Sequence, residues 1–594
     1  MDFYGFYTGK EFQAYEYLGA HVEGKETVFR TFAPNAREIW VIGEFNDWQG
    51  TPMQKVYDGN FWECRIEGAK EGMMYKYRIH GANGRILDHC DPYGFGMELR
   101  PHSASLIRRL DKRQWKDAAW MEKRSVCKDK PLNIYELHMG SWKKKTEAED
   151  GWYSYTEMAK LLVPYLKENH YQYIEVLPLS EHPMDASWGY QNTGFFSPTS
   201  RYGTAEQLQE FVDYLHRNEI GVILDFVPVH FAVDDYALWQ YDGTALYEYP
   251  HVDVGVSEWG SCNFMHSRGE VRSFLQSAAY YWLEKYHMDG LRMDAVSNLI
   301  YWQGDVRRGE NKGALQFLQT MNVGLKEAFP TAILAAEDSS AYVGVTKAVS
   351  EGGLGFDYKW DMGWMNDTLD YCKKNRRERE QVYHQLTFSM QYFYQENYIL
   401  PLSHDEVVHG KASIFQKMNG DYEGKFPQAK TLYLYMFTHP GKKLNFMGNE
   451  FAQVREWDEK REQDWMLFAY PNHENFYNFM KKLHQVYEKT PALYEKDYDR
   501  EGFVWVDCAQ TKPCVYVYER RSDYQRVLVL LNFSDETQTF AVNPEDKKGL
   551  KLLIATDEEK FGGERTYRRK LSSKAGALEV ELGAFSAQCY EVLE

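Results

Sequence analysis

Hydrophobic and polar positions divide the chain into three stretches of different rhythm. From about residue 20 to 110, short apolar-aromatic runs alternate with turn residues: TVFRTFAP (27–34), EIWVIGEF (38–45), FWECRIEG (61–68) and MYKYRIHG (74–81). Asn46-Asp47, Asp58-Gly59-Asn60 and Asn83-Gly84 supply turns between them, since these residue types tolerate the backbone angles that tight turns need. This texture predicts a small β-sandwich. From about 130 to 490 the rhythm becomes strand, loop and helix, repeated. Eight apolar runs read as strands: 133–139, 173–179, 221–229, 290–296, 331–337, 355–360, 397–403 and 443–449. Near-continuous apolar runs are what parallel strands covered on both faces require.

Amphipathic helices fall between these runs. Thr204, with Gln207 three residues on, predicts a capped helix whose apolar face is Leu208, Phe211, Val212 and Leu215. Val271, Phe274, Leu275, Ala278 and Trp282 form a second stripe, and Leu318, Met321, Leu325 and Ala328 a third. Pro164 falls inside a helix expected near 156–169 and should kink or split it. From about 495 onward the pattern is β again: FVWVD (503–507), CVYVYER (514–520), RVLVLLNF (526–533), LEVEL (578–582) and AQCYEVL (587–593). The expected architecture is multidomain α/β. A central (β/α)8 TIM barrel is flanked by an amino-terminal β-sandwich and a carboxyl-terminal antiparallel β-domain. Boundaries are expected at 1–115, 116–492 and 493–594.

Composition narrows the function classes. A formal charge of -18 gives no broad attraction to nucleic acid or anionic lipid, and a neutral substrate fits better. The aromatic fraction is 16%, with 45 Tyr and 17 Trp. Such rings give flat faces on which sugar C–H surfaces stack, although a large core alone also explains them. No run of about eighteen apolar residues suggests a membrane span. The start, MDFYGFYTGKEF, lacks the basic-then-apolar order of a secretory signal. Eight scattered Cys without a Cys-x-x-Cys pair argue against a zinc site or disulfide framework. A cytoplasmic, monomeric protein without metal or cofactor is expected; scattered Asp residues alone do not make a calcium site.

Barrel active sites lie at the carboxyl ends of the strands. There the sequence offers Asp225 and His230 (strand three), Arg292 and Asp294 (four), Glu337 and Asp338 (five), and His404, Asp405 and Glu406 (seven). The strand-two loop adds Asp185, Trp188 and Tyr190. Any one of these alone is more often a helix cap, an ion-pair partner or a structural histidine. Four strand ends delivering carboxylates to one rim is another matter, because concentrating like charge is costly without a function. Three carboxylates, an Arg and two His without a metal motif suit glycoside cleavage. A retaining mechanism uses one carboxylate as nucleophile and one carboxylic acid as proton donor.

DFVPVH (225–230), GLRMDAV (290–296), the Glu of AAEDSS (335–340) and LSHDE (402–406) resemble, in order, the four signature segments of the α-amylase superfamily of glycoside hydrolases and transglycosidases. YELHMGSW (135–142), HPMDASWGYQNTGFFSPTSRYG (182–203), LPLSHDEVVHGKAS (401–413) and FMGNEFAQVREWD (446–458) resemble 1,4-α-glucan (glycogen) branching enzymes. GEFNDW (43–48) resembles the carbohydrate-binding sandwich in front of such barrels, with Trp48 a candidate sugar contact or a turn residue. The resemblance implies Asp294 as nucleophile, Glu337 as general acid/base and Asp405 as transition-state stabiliser. Arg292 would orient and ionise Asp294; Asp225, His230 and His404 would hold the glucose, and Tyr190 would stack beneath it. The implied partner is an α-1,4-glucan, cleaved and rejoined as an α-1,6 branch.

Asp338 stands where bacterial relatives often carry Glu, and Asn366 where His is common; either change is expected to bear on acceptor handling or chain length. No long extension precedes the sandwich, so no extra leading domain is expected. The alternatives are a hydrolase of the same superfamily, with the same trio, and a non-catalytic glucan-binding barrel, which the complete trio disfavours.

Overall fold

The computed structural model describes residues 1–542, 549–572 and 578–593. Eight parallel strands close into a barrel: Asn133–Leu137, Tyr173–Val176, Gly221–Phe226, Gly290–Met293, Ile333–Ala336, Tyr358–Trp360, Tyr398–Leu402 and Lys442–Phe446. Each falls within, or one residue outside, an expected run. The strands are shorter than the runs, because the last apolar residues of several runs belong to the loops that cover the rim. Ahead of the barrel lies the expected sandwich. One sheet holds Gly19–Glu23, Glu26–Phe32, Phe61–Glu67 and Gln54–Val56; the other is built on Glu38–Gly43 and Met74–His80. The carboxyl-terminal domain is antiparallel, with a six-stranded main sheet among the described residues. Its strands Gln538–Val542, Gly549–Ala555 and Lys570–Ser572 were not anticipated, since each run is short or carries charge. Residues 543–548, 573–577 and 594 of the expected third domain lie outside the described residues.

Thr204 caps the helix Ala205–Arg217 as expected, its hydroxyl accepting from the Gln207 N–H, and Leu208, Phe211, Val212 and Leu215 are buried. In Lys312–Ala328 the buried stripe ends at Leu325, and Ala328 is exposed in the final turn. The expectation for Pro164 is corrected: Tyr155–Glu168 runs through it as one helix. Pro164 and Lys160, one turn earlier, both face solvent, so water can satisfy the Lys160 carbonyl that the ring deprives of its N–H partner.

The outer domains brace the barrel. An unanticipated helix, Phe3–Thr8, lies against Gly269–Lys285. Arg272, Ser273 and Gln276 donate to the carbonyls of Thr8 (3.0 Å), Phe6 (2.9 Å) and Gly9 (3.0 Å). Gly269 permits this approach: a Cβ there would stand 1.9 Å from the Tyr7 carbonyl oxygen. The sandwich also grips the loop after strand three. Thr31 bonds Tyr241 (2.7 Å), Asn35 bonds Asp242 (3.0 Å), and His89 bonds the Ala237 carbonyl (2.8 Å).

Beneath the barrel, Arg520 of the last domain is fully buried. It donates to Asp497 (2.7 Å) and the Thr438 carbonyl (2.8 Å), while Lys442 pairs with the other Asp497 oxygen (2.9 Å). Removing one cation from such a cluster leaves buried charge uncompensated. Arg520→Ala is therefore expected to cost about 3 kcal/mol and to lower Tm in a thermal scan. An unchanged Tm would show that the cluster does not fasten this domain.

Candidate functional site

Register builds the site. Asp225 on strand three lies opposite Arg292 on strand four, and Arg292 lies opposite Ala335 on strand five. The ladder continues past the strand ends: the Asp294 N–H donates to the Phe226 carbonyl (3.0 Å) and the Glu337 N–H to the Met293 carbonyl (3.0 Å). Asp294 and Glu337 thus tip adjacent parallel strands. The chain then turns sharply at Ala295, a non-glycine residue at φ 48°, ψ 46°, into the short helix Val296–Ile300. That backbone state costs an alanine roughly 1 kcal/mol. It aims the Ala295 N–H at Glu337 Oε2 (2.7 Å) and the Val296 N–H at the Glu337 carbonyl (2.8 Å). The turn after Asp294 therefore clamps Glu337 at both ends.

Arg292 is buried beneath them. Its Nη1 reaches both Asp225 oxygens (2.7 and 2.8 Å) and Asp294 Oδ1 (2.9 Å), and its Nη2 lies 3.6 Å from Glu337. The guanidinium carbon sits 4.4 Å from the Trp360 ring centre, stacking that restricts its rotation. The Tyr190 hydroxyl donates to Asp225, and its ring stacks on His404 at 5.6 Å and 19°. His404 is held by Glu136 through Nδ1 (2.5 Å) and its backbone N–H (2.9 Å), so Nε2 faces Asp405 at 3.5 Å. His230 lies 5.1 Å from the Trp259 ring and its buried Nδ1 has no partner.

Of the eight residues singled out from sequence, Tyr190, His230, Asp294, Glu337, His404 and Asp405 line one cavity of about 520 Å³. Asp225 and Arg292 form the layer below its floor. Of the other rim residues, Trp188 lines the same cavity, whereas Asp185, Asp338 and Glu406 are turned to cations. Asp185 pairs with Arg201 and Arg100, Asp338 with Lys359 (2.9 Å) and Glu406 with Lys411 (3.2 Å). Asn366 is on the exposed face of Met362–Lys373, and Trp48 is part-exposed in a turn of the sandwich. Sequence reasoning passed over Glu136 and Glu175, although charge inside two buried strands was a readable signal. Trp259, His409 and Asn298 also line the cavity. They come from irregular loops and a short helix, where periodicity carries no information.

Electrostatics separates the carboxyls. Burial pushes Asp294 up to about 7 against the pull of Arg292, with Asp225 and Asp405 adding to the rise. Burial likewise pushes Glu337 up to about 7, again opposed by Arg292 and reinforced by Asp294. The two share protons as a pair. Asp294, bonded to Arg292 at the shorter distance, ionises first and leaves the proton on Glu337. Burial also raises Asp405, but His404 and then Arg292 outweigh it and hold that carboxyl below its usual value. Burial pulls His404 down, yet Asp405 and Glu136 more than compensate and lift it to about 9, so it is cationic at neutral pH. Burial alone pushes His230 down to about 4.

A carboxyl raised in the folded state destabilises the fold as pH climbs from its unfolded value towards its folded one. Below pH 4 wild-type Glu337 is protonated in both states, and above about 7 the penalty is complete. Glu337→Gln keeps an acceptor for the Ala295 N–H and removes the charge. It is expected to raise stability by about 2 kcal/mol at pH 8 and by little at pH 4, measured as Tm at both pH values. Equal Tm at pH 8 would contradict the raised value.

Three family descriptions match the chain: "Carbohydrate-binding module 48 (Isoamylase N-terminal domain)" over residues 17–94, "Alpha amylase, catalytic domain" over 158–244, and "Alpha amylase, C-terminal all-beta domain" over 505–592. Among solved structures, a pullulanase from Bacillus acidopullulyticus aligns at TM-score 0.73 and 16% identity, covering 97% of this chain and 74% of that one. A pullulanase complexed with maltotetraose, from Anoxybacillus sp. LM18-11, aligns at 0.74 and 16%, covering 97% and 87%. At that identity the likeness speaks to fold alone. The chain is 44% identical over 581 residues to the 1,4-alpha-glucan branching enzyme of Fusobacterium nucleatum, covering 96% of this chain and 94% of that protein. It is 42% identical over 590 residues to the same enzyme of Bacillus subtilis, covering 97% and 94%. With this identity sustained along almost its whole length, the chain belongs to the 1,4-alpha-glucan branching enzyme family, built on the α-amylase barrel.

Proposed function

We propose that this protein cleaves an α-1,4 bond of a glucan and transfers the released chain to a glucose 6-hydroxyl, making an α-1,6 branch with retention of configuration. The observation that carries the chemistry is the clamp that ties Glu337 to the turn after Asp294, with one arginine beneath both. Asp294 attacks the anomeric carbon while Glu337 gives its proton to the departing glycosidic oxygen, leaving a glycosyl ester on Asp294. The acceptor's 6-oxygen then bonds to that carbon, its proton passes to Glu337, and the ester bond breaks. Asp405, held ionised beside cationic His404, steadies the positive charge that develops on the sugar. Arg292 keeps Asp294 ionised, and Asp225 fixes both Arg292 and Tyr190 by accepting from the guanidinium and from the phenol hydroxyl. His404 and neutral His230 bind sugar hydroxyls, and Tyr190 offers its ring to the sugar at the cleavage point.

The proposed domain division is 1–115, 116–492 and 493–594, with the sandwich raising the local glucan concentration. We further propose a monomer acting in the cytoplasm, with no metal or cofactor and no nucleic-acid or membrane partner. Supporting this, one chain supplies every group the scheme uses, and the eight cysteines are unpaired, seven of them buried. Among the described residues no helix is long and apolar enough to cross a membrane.

With amylose as substrate, iodine colour is expected to fall while reducing ends hardly rise. A parallel rise in reducing ends would mark a hydrolase instead. Asp294→Ala is expected to lose at least about a thousandfold in turnover while still binding glycogen in a co-sedimentation assay; wild-type turnover in that variant would defeat the nucleophile assignment. The active form carries one proton on the pair, and both groups are lifted to about 7. The pH profile of kcat/KM should therefore be a narrow bell near pH 7, falling on the acid side as Asp294 gains a proton and on the alkaline side as Glu337 loses one. A flat plateau from pH 7 to 9 would exclude Glu337 as the acid.

A further inference from the structure

Asp405 is the least anchored member of the proposed trio. Arg292 bonds Asp294 (2.9 Å), and the Ala295 N–H bonds Glu337 (2.7 Å). The Asp405 carboxylate, 46% exposed in the cleft, makes no hydrogen bond among the described residues, and the cation beside it is His404, with Nε2 at 3.5 Å. Its position therefore depends on the backbone that carries it, and that backbone is gripped at the preceding residue. Glu136, fully buried on Asn133–Leu137, takes two donors of His404: Oε1 accepts from Nδ1 (2.5 Å) and Oε2 from the backbone N–H (2.9 Å). One carboxylate thus fixes the ring and the main chain of His404 together. The strand that carries Glu136 is itself paired on both sides, with strands two and eight. Around the ring, Tyr190 stacks at 5.6 Å, and Trp188, Phe446 and Trp457 stand 5.8 to 6.1 Å away.

We propose that Glu136 is a positioning residue for the reaction, holding Asp405 in place through His404. The proposal rests on the charge-stabilising role given to Asp405 above. Glu136 is sealed below the cleft, so it reaches the sugar only by way of His404. Glu175, in register with it on the next strand, makes no hydrogen bond and gives His404 no second anchor. An apolar side chain would pack a strand interior at less cost than a buried carboxylate. What the carboxylate adds is geometry, and geometry is what a charge stabiliser needs: misplacing a group by about an ångström can cost about a hundredfold in rate.

The test uses the full chain and two ligands. The iminosugar deoxynojirimycin is cationic, like the sugar at the transition state, and maltohexaose is neutral. Glu136→Gln keeps the size of the side chain and one acceptor oxygen, but turns an amide NH2 towards the other donor. It is expected to weaken iminosugar binding about tenfold, the loss of one charge-assisted contact, and to change maltohexaose binding less. The same substitution is then made in Asp405→Asn. There it is expected to add nothing, because the group it displaces no longer carries charge. Unchanged iminosugar affinity in Glu136→Gln, or equal weakening in both backgrounds, would overturn the proposal and leave Glu136 a packing residue. If Glu136→Gln does not fold, Glu136→Asp, which keeps the charge and shortens the reach, is carried through the same cycle and read the same way. A wild-type chain that releases reducing ends but forms no α-1,6 links would refute the branching reading alone, since hydrolysis would need Asp405 in the same place.

Discussion

One guanidinium, that of Arg292, lies fully buried among Asp225, Asp294 and Glu337, and the rest of the site is arranged around it. Three carboxyls this close cannot all ionise in a dry barrel unless something opposes them. A single cation can answer only part of that charge. Distance decides how it is shared: both oxygens of Asp225 and one of Asp294 lie within hydrogen-bond reach, and Glu337 lies just beyond it. The short contacts ionise their carboxylates, and the long one leaves a proton behind. An ionised and a protonated carboxyl thus come side by side from two arginine contacts, one of 2.9 Å and one of 3.6 Å. Trp360 below the guanidinium and the backbone clamp from Ala295 and Val296 hold that difference in place.

The layer below the floor continues the same logic. Glu136 lies in register with Glu175 on adjacent strands, deep in the barrel. Glu136 is engaged by His404 at two points. Glu175 has no hydrogen-bond partner, and burial, reinforced by Glu136, pushes it far above the ordinary carboxyl range, so it stays neutral. The barrel interior below the cleft therefore holds four carboxyl-bearing or cationic side chains, Glu136, Glu175, Asp225 and Arg292, with His404 above them. Apolar packing would hold the strands more cheaply but could not hold His404 cationic against Asp405. The outer domains steady the loops above this stack: the sandwich holds the segment after strand three, which carries His230 and Trp259 into the cleft.

How much of this was legible in the sequence depended on whether a residue's neighbours were local or distant. The eight barrel strands were readable because burial on both faces forces long apolar runs, and the Thr204–Gln207 cap because its partners are three residues apart. Asp294, Glu337, Asp405 and the residues grouped with them were readable from the polar residue closing each run. Pro164 misled, because its effect depends on whether the orphaned carbonyl meets water, a property of the whole fold. The strands at 538–542, 549–555 and 570–572 were missed for a related reason: their partners lie elsewhere in the sheet, and their own composition barely alternates. Trp259 reaches the cleft from an irregular loop after strand three, and no local pattern announces where such a loop returns.

Transfer, as opposed to hydrolysis, asks something further of this architecture. On the proposed scheme both outcomes would use Asp294, Glu337 and Asp405, so the trio cannot choose between them. The choice lies in whether a sugar hydroxyl or a water occupies the space beside Glu337 once the leaving chain has gone. That space is bounded by the loop starting at Asp338, and this loop is anchored from behind: Lys359 pairs with Asp338 and also donates to the Ser340 carbonyl (2.9 Å). A loop pinned by one lysine at both Asp338 and Ser340 has little freedom to collapse into the cleft. A sugar that meets a fixed loop there would lose less entropy than one that has to order a mobile loop.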